Sequence, residues 1–261
     1  MKLHIENIGK IKIADIDVDG ITIITGSNNT GKSTMCKALF ATLRSFYNLN
    51  KLSKNSIYKK PNIVVKDIFN EVFGEEISKH YQKHTNNKET IKSKVTIQTD
   101  LGVNEIVIGN NIKDIKETFK IDLQPIYIKS SDIINNLQNI SDIILRLQYI
   151  LGNDSVERDR ILILDNPENN LHPEWQVAYA RYIVLLQKKL NLHIVITTHS
   201  PFFLKAIEKA SEEYDISEKC HYYYAHNDEG DAVIECVDEN MEEIYSKMMM
   251  PLLSMMNDIW S

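Results

Sequence analysis

Three groups of residues carry the types and spacings that phosphate chemistry needs. Gly26, Ser27, Asn28, Asn29, Thr30, Gly31, Lys32, Ser33 and Thr34 read GSNNTGKST, which fits the Walker A pattern G-x-x-x-x-G-K-[ST] in full. Glycines let such a chain curl until successive backbone N–H groups point inward, and a helix starting beside them adds the positive end of its dipole. Lys32 would bridge β- and γ-phosphates, the Ser33 hydroxyl would bind Mg²⁺, and Thr34 would reach an α-phosphate. A magnesium ion on a nucleotide takes oxygen ligands, so an aspartate at the end of a neighbouring strand is the expected second anchor, and Asp165 fits that need. Asn166, directly behind it, cannot accept a proton. The third group is Thr197, Thr198, His199 and Ser200. Of the eight histidines, His199 alone is singled out, because at a strand tip it can donate a hydrogen bond to a γ-phosphate or to an attacking water.

These side chains must be held by a particular set of elements. The β-branched run before Gly26 predicts a strand, and the segment after Ser33 has apolar positions at helical spacing. Four consecutive aliphatics at 161–164 predict a central parallel strand buried on both faces, and LHIVIT at 192–197 repeats the pattern. In open α/β sheets ligands bind at the carboxyl ends of such strands, where Asp165 and His199 fall. Between them and the loop, apolar residues at 64, 65, 68, 69, 72, 73, 77 and 81 predict an amphipathic helix that continues through Gly74. KVTIQTDLGVNEIVIG predicts a β-hairpin, as does the C-terminal stretch turning at NDEGD, which leads into a helix or helix pair broken near Pro251. The methionines at 248, 249, 250, 255 and 256 are read as core packing.

Composition bounds the rest. At 261 residues, 43% apolar and 25% charged, the chain is expected to be one globular domain, 1–261, with a helix-plus-hairpin insertion at about 45–120 and a hairpin–helix C-terminal extension at about 220–261. No apolar run reaches membrane-spanning length and the N-terminus lacks a signal-peptide core, so a cytoplasmic protein with no membrane partner is expected. Cys36, Cys220 and Cys236 are odd in number and lack metal-ligand spacing, which suits reduced thiols. A net charge of −6 argues against nonspecific coating of nucleic acid, and Lys51, Lys54, Lys59, Lys60 and Lys66 form the only basic concentration.

With these segments in hand, the chain resembles the ABC-type ATPases of the RecF, SMC and OLD-nuclease group, and in particular the compact AAA domain ATPases of bacterial defence and toxin–antitoxin systems. The residues that carry the likeness are IENIGKI, GSNNTGKST, LILDNPENNLHPEWQ and ITTHSPFFL. The resemblance implies an α/β P-loop NTPase with an ABC-ATPase-like mixed sheet, an antiparallel β layer and a helical insertion. It implies ATP and Mg²⁺ as cofactors. It also implies a homodimer or a pairing with a related ATPase subunit, and control of a separate effector such as a nuclease or toxin, with DNA as a further candidate partner. Asp165, Glu168, Leu171, His172, Pro173 and His199 correspond to the group's merged Walker B, D-loop and switch-histidine segments.

Two departures from the group's pattern bear on activity. The second Walker B acid, the general base in the group, falls on Asn166; an amide can hold a water but offers no basic site, and losing a general base costs about 10²–10⁴ in rate. Glu168 is the acidic alternative, and it would share a side with Asn166 if the strand tip is extended. The group's serine–glycine signature falls on Ser141 and Asp142, where Ser141 also suits a helix N-cap. A carboxylate about 5 Å from a γ-phosphate costs roughly 3 kcal/mol per charge pair even at an effective dielectric near 20. The expectation is therefore a nucleotide-dependent switch with slow hydrolysis, the alternatives being a RecF-like ATPase that binds DNA for repair and, less favoured, a transporter subunit.

Overall fold

The computed structural model describes residues 1–55, 59–74, 92–109, 111–122, 124–134, 140–151 and 160–260, with no side-chain account at 133, 134, 150, 151 and 251–260. The described strands form one eleven-stranded mixed sheet. In chain order they are β1 (Lys2–Ile8), β2 (Ile11–Asp17), β3 (Ile21–Gly26), β4 (Ser93–Thr99), β5 (Gly102–Ile108), β6 (Ile112–Lys116), β7 (Ile126–Lys129), β8 (Ile161–Asp165), β9 (His193–Thr197), β10 (Cys220–Asp228) and β11 (Asp231–Cys236). The spatial order is β6-β5-β4-β1-β2-β11-β10-β3-β9-β8-β7. The half that holds β3, β9, β8 and β7 is parallel, whereas β2, β1, β4, β5 and β6 form an antiparallel meander.

Helices cover both faces, which is why β3, β8 and β9 are buried on successive residues and largely aliphatic. α1 (Lys32–Lys54) and α2 (Pro61–Phe73) lie over one core, with Met35, Leu39, Phe46 and Phe69 at 0% exposure. α4 (Ile140–Leu151), α5 (Pro173–Leu190), α6 (Pro201–Glu213) and α7 (Met241–Trp260) flank the other, and the short α3 (Ser130–Ile134) follows β7. Alternation sorts the residues of β8 between these cores: Ile163 joins the α1 side, while Leu162 and Leu164 join the α5 side. Each buried aliphatic contributes about 1.5–3 kcal/mol, so a one-residue slip of β8 would exchange its two faces.

Several sequence expectations change in three dimensions. α2 stops at Phe73 because Gly74 takes the left-handed conformation, φ 74°, and its N–H bonds back to Asn70 O, a glycine C-cap. The stripe expected at 77 and 81 lies outside the described residues. The hairpin expected over 94–109 forms as β4–β5, and β6 pairs onto it as a further strand. α1 runs to Lys54, past the expected start of the insertion near 45. Strands β10 and β11 form the hairpin expected at NDEGD, with Glu229 and Gly230 at positive φ in the turn, but they sit in the middle of the sheet. β10 runs parallel to β3 and β11 parallel to β2, so this hairpin joins the two halves. α7 continues through Pro251 as one helix, so no break occurs there. Ile140 is the first helical residue of α4, which places Ser141 inside the first turn and not at the cap.

Candidate functional site

The candidate site gathers at the carboxyl ends of β3, β8 and β9. Between β3 and α1 the loop 26–31 turns through positive φ at Gly26, Asn29 and Gly31. Gly26 has no room for a side chain: a Cβ there would stand 2.0 Å from the backbone oxygen of Ala225 on the neighbouring β10. At Gly31, φ 82°, a Cβ would press within 2.7 Å of Ile11 Cγ1, so β2 packs directly against the loop. Gly31 also caps α1 with no side-chain hydrogen bond. The first N–H groups of the helix are thus left for an anion, as a phosphate cradle requires.

Lys32 is 6% exposed and folds back over the loop, its Nζ donating to Gly26 O at 2.8 Å and to Ser27 O at 2.5 Å. Burial lowers its pKa, and the charges of Asp165 and Glu168 partly offset that. Thr30 Oγ1 closes the turn by donating to Ser27 O at 2.8 Å.

Asp165 is the hub. Its Oδ1 accepts from Ser33 Oγ at 2.9 Å, Thr197 Oγ1 at 2.6 Å and Asn166 Nδ2 at 3.1 Å, and its Oδ2 accepts from the Tyr127 hydroxyl at 3.0 Å. The register of β8 with β9 sets Asp165 opposite Thr197, which explains the shortest of these. Tyr127 reaches it from β7 and stacks on Phe40 of α1 at 5.3 Å. Burial, then the Asp165 charge, raises the Tyr127 pKa, which keeps it a neutral donor. Sequence reasoning missed Tyr127, since nothing in IYIK says that this strand lies beside β8.

The turn after β8 departs from the extended geometry that would have placed Glu168 beside Asn166. Asn166 is left-handed, φ 47°, and its N–H donates to both Thr197 O (3.1 Å) and Thr197 Oγ1 (3.0 Å). Asparagine tolerates that conformation better than glutamate does. Glu168 is consequently turned inward. It is 2% exposed, and its Oε1 accepts from Thr198 Oγ1 at 2.6 Å and from the His199 backbone N–H at 3.2 Å. Burial raises its pKa against the lowering effect of the Thr198 bond. It ties the tip of β9 to the tip of β8. His199 Nδ1 lies 3.2 Å from Asn166 Oδ1 and 3.8 Å from Glu168 Oε1.

Leu171, His172 and Pro173 have local structural work. Leu171 is buried at 6%, His172 is the N-cap of α5 with its ring accepting from Glu174 N, and Pro173 opens the helix. Ser200 caps α6 and donates to Gln176 Oε1 at 2.7 Å, fixing α6 to α5. Asn28 and Asn29 are exposed on the loop, and Thr34, half-buried in the first turn of α1, abuts Gly9 of the β1–β2 turn. Among the lysines of 51–66, Lys54 is paired with Asp122 at 2.5 Å and Lys66 donates to Asn111 at 3.2 Å. No helix among the described residues is long and apolar enough to cross a membrane.

A family model described as "AAA domain" matches residues 2–247, nearly the whole chain. The chain belongs to the AAA domain family. Its fold is that of an ABC-type P-loop ATPase of the RecF and SMC group. It is similar to the SMC head domain from Thermotoga maritima, at 12% identity and TM-score 0.51, over 90% of this chain and 98% of that one. It is also similar to an SMC head crystallised with the C-winged helix domain of ScpA, at 9% identity and TM-score 0.54, over 93% of this chain and 98% of that one. No curated protein matches the sequence significantly.

Proposed function

We propose that this AAA domain protein is a nucleotide-dependent switch that binds ATP with Mg²⁺, hydrolyses it slowly, and controls a separate effector protein. The observation that carries the reading is the 2.9 Å contact between Ser33 Oγ and Asp165, beside a lysine already held over the loop. Hydroxyl and carboxylate oxygens from α1 and β8 are a donor set that suits magnesium, and the glycine-opened helix start suits phosphates. A bound magnesium ion would neutralise charge building up on the β- and γ-phosphates. Lys32 would hold those phosphates, Ser33 and Asp165 the ion, and Asn28, Asn29 and Thr34 would line the approach.

Slow turnover follows from what surrounds the water position. Asn166 has no basic atom, and Glu168 is buried and engaged by Thr198 and His199. A site that keeps its phosphate cradle but lacks the usual carboxylate base holds its nucleotide for long periods. A long-lived bound state is what a switch needs. A role in anti-phage defence or the DNA-damage response, and assembly as a homodimer or with a related ATPase subunit, rest on the sequence resemblance; the SMC head bound to a ScpA domain is a relative of this fold that engages another protein.

Calorimetry with ATP, with and without Mg²⁺, tests the reading. Wild type takes up the nucleotide and Lys32→Ala shows no measurable uptake. Equal binding by the two proteins, or no uptake of any nucleoside triphosphate by wild type, rejects it.

A further inference from the structure

We infer that Asn166 is a positioning residue that fixes the tautomer of His199, leaving the ring's Nε2 lone pair to accept the proton of the attacking water. This deepens the nucleotide-site reading above and rests on it.

The argument is one of hydrogen bookkeeping. Asp165 accepts from Ser33 Oγ, Thr197 Oγ1, Asn166 and the Tyr127 hydroxyl. A carboxylate receiving four donors has no hydrogen to offer, so the Asn166 atom facing it at 3.1 Å must be the amide nitrogen. The other end of that amide is therefore the carbonyl oxygen, and it lies 3.2 Å from His199 Nδ1. A carbonyl oxygen only accepts. Nδ1 must carry the hydrogen, and a neutral imidazole has just one, which leaves Nε2 as a bare acceptor. Glu168 supports the same assignment from the other side, its Oε1 lying 3.8 Å from Nδ1.

The amide has little freedom to turn over. Its backbone N–H is bound to Thr197 O and Oγ1, its Nδ2 to Asp165, and reversing it would set two oxygens together. The His199 backbone is fixed by its N–H bond to Glu168 Oε1. Its side chain is 46% exposed, so the ring is accessible to water.

In the step this permits, an O–H bond of the water breaks and its proton passes to Nε2. The oxygen's electron pair forms the bond to the γ-phosphorus, and the bond from that phosphorus to the bridging oxygen breaks, its pair leaving on the nucleoside diphosphate. The imidazolium, its Nδ1–H still on Asn166, then releases the proton to solvent. The residue that cannot act as a base thereby makes its neighbour one, in the way a fixed carbonyl oxygen orients any catalytic imidazole.

Nitrogen NMR of ring-labelled histidine in the nucleotide-free protein reads the tautomer directly. Wild type shows His199 with hydrogen on Nδ1. Asn166→Gly, chosen because glycine accepts the left-handed backbone, shifts the ring toward the Nε2–H form. Under saturating Mg-ATP, His199→Gln lowers kcat about 10²–10⁴-fold while the Kd from calorimetry stays within a few-fold, and Asn166→Gly lowers kcat in the same direction. A wild-type ring protonated on Nε2, turnover by His199→Gln within about three-fold of wild type, or a wild type that binds but never hydrolyses each overturns the proposal while leaving the nucleotide site standing. Absence of nucleotide binding by wild type removes both.

Discussion

Asp165 offers the sharpest separation of structure from ligand chemistry. Replacing it by alanine removes the acceptor of four donors at once, among them the fully buried Thr197 hydroxyl, at 0% exposure, and the half-buried Asn166 amide. Each buried donor left without a partner costs about 1–3 kcal/mol. Relief from holding a carboxylate at 8% exposure offsets part of this. The net expectation for Asp165→Ala is about 2–4 kcal/mol, which for a chain of this size lowers Tm by roughly 4–16 °C. Asp165→Asn keeps an oxygen for Ser33, Thr197 and Asn166, and the Tyr127 hydroxyl can turn to accept from the new amide. Its cost is the loss of charge assistance, about 1–2 kcal/mol or roughly 2–8 °C. The two variants should nonetheless share one defect, because neither supplies a charged oxygen ligand for the metal. Differential scanning calorimetry and nucleotide titrations with and without Mg²⁺ measure the two effects independently. An Asp165→Ala protein melting at the wild-type temperature refutes the hub geometry, and an Asp165→Asn protein whose nucleotide affinity still rises with Mg²⁺ as in wild type refutes the metal assignment.

Asn166→Glu restores a carboxylate at the tip of β8 and is expected to raise kcat at least ten-fold, within the range a general base contributes. The same change lowers Tm by about 2–4 °C, because glutamate in a left-handed conformation costs about 1 kcal/mol; steady-state hydrolysis and thermal melts check the pair. On the antiparallel side, His4 of β1 lies between Asp15, its cross-strand partner, and Glu6, at 2.7 Å from each. Burial disfavours the charged ring, but the two carboxylates outweigh it and the pKa is raised. A raised folded pKa gives stability that is fully present below the unfolded value near 6.5 and is lost as pH climbs through the folded one. The stability gap between wild type and His4→Gln, from urea melts, should therefore be larger at pH 5.5 than at pH 9, and an equal gap would show that the pair contributes no charge-dependent stability.

Much of the site could be read from short stretches because its main parts are local. GSNNTGKST contains within nine residues the glycines that curl, the lysine and the hydroxyl, and the aliphatic runs before Asp165 and Thr197 report strands covered on both faces. Helix starts at Pro173 and Pro201 were likewise written locally, in the residues that cap them. The end of α2 was misread because the apolar stripe continues past Gly74, whereas one glycine in a left-handed conformation suffices to stop a helix.

What one-dimensional patterns cannot express is which strands become neighbours, and that decided the chemistry here. The same residues, Asp165 and Asn166, would be an ordinary strand end if β9 and β7 lay elsewhere; side by side, those strands deliver Thr197 and Tyr127 to the carboxylate. The left-handed turn at Asn166 sent Glu168 inward, where it bonds Thr198 at the tip of β9, and set the amide oxygen 3.2 Å from His199 Nδ1. The C-terminal hairpin entered the centre of the sheet, and the backbone of β10 is what forbids a side chain at Gly26. The sequence alone settled the identity of the phosphate-binding loop, since backbone amides and a lysine a few residues apart need only local curvature. Only the tertiary structure settled which side chains meet around Asp165, because hydrogen bonds between distant residues depend on ångström-scale approach that sequence separation does not encode.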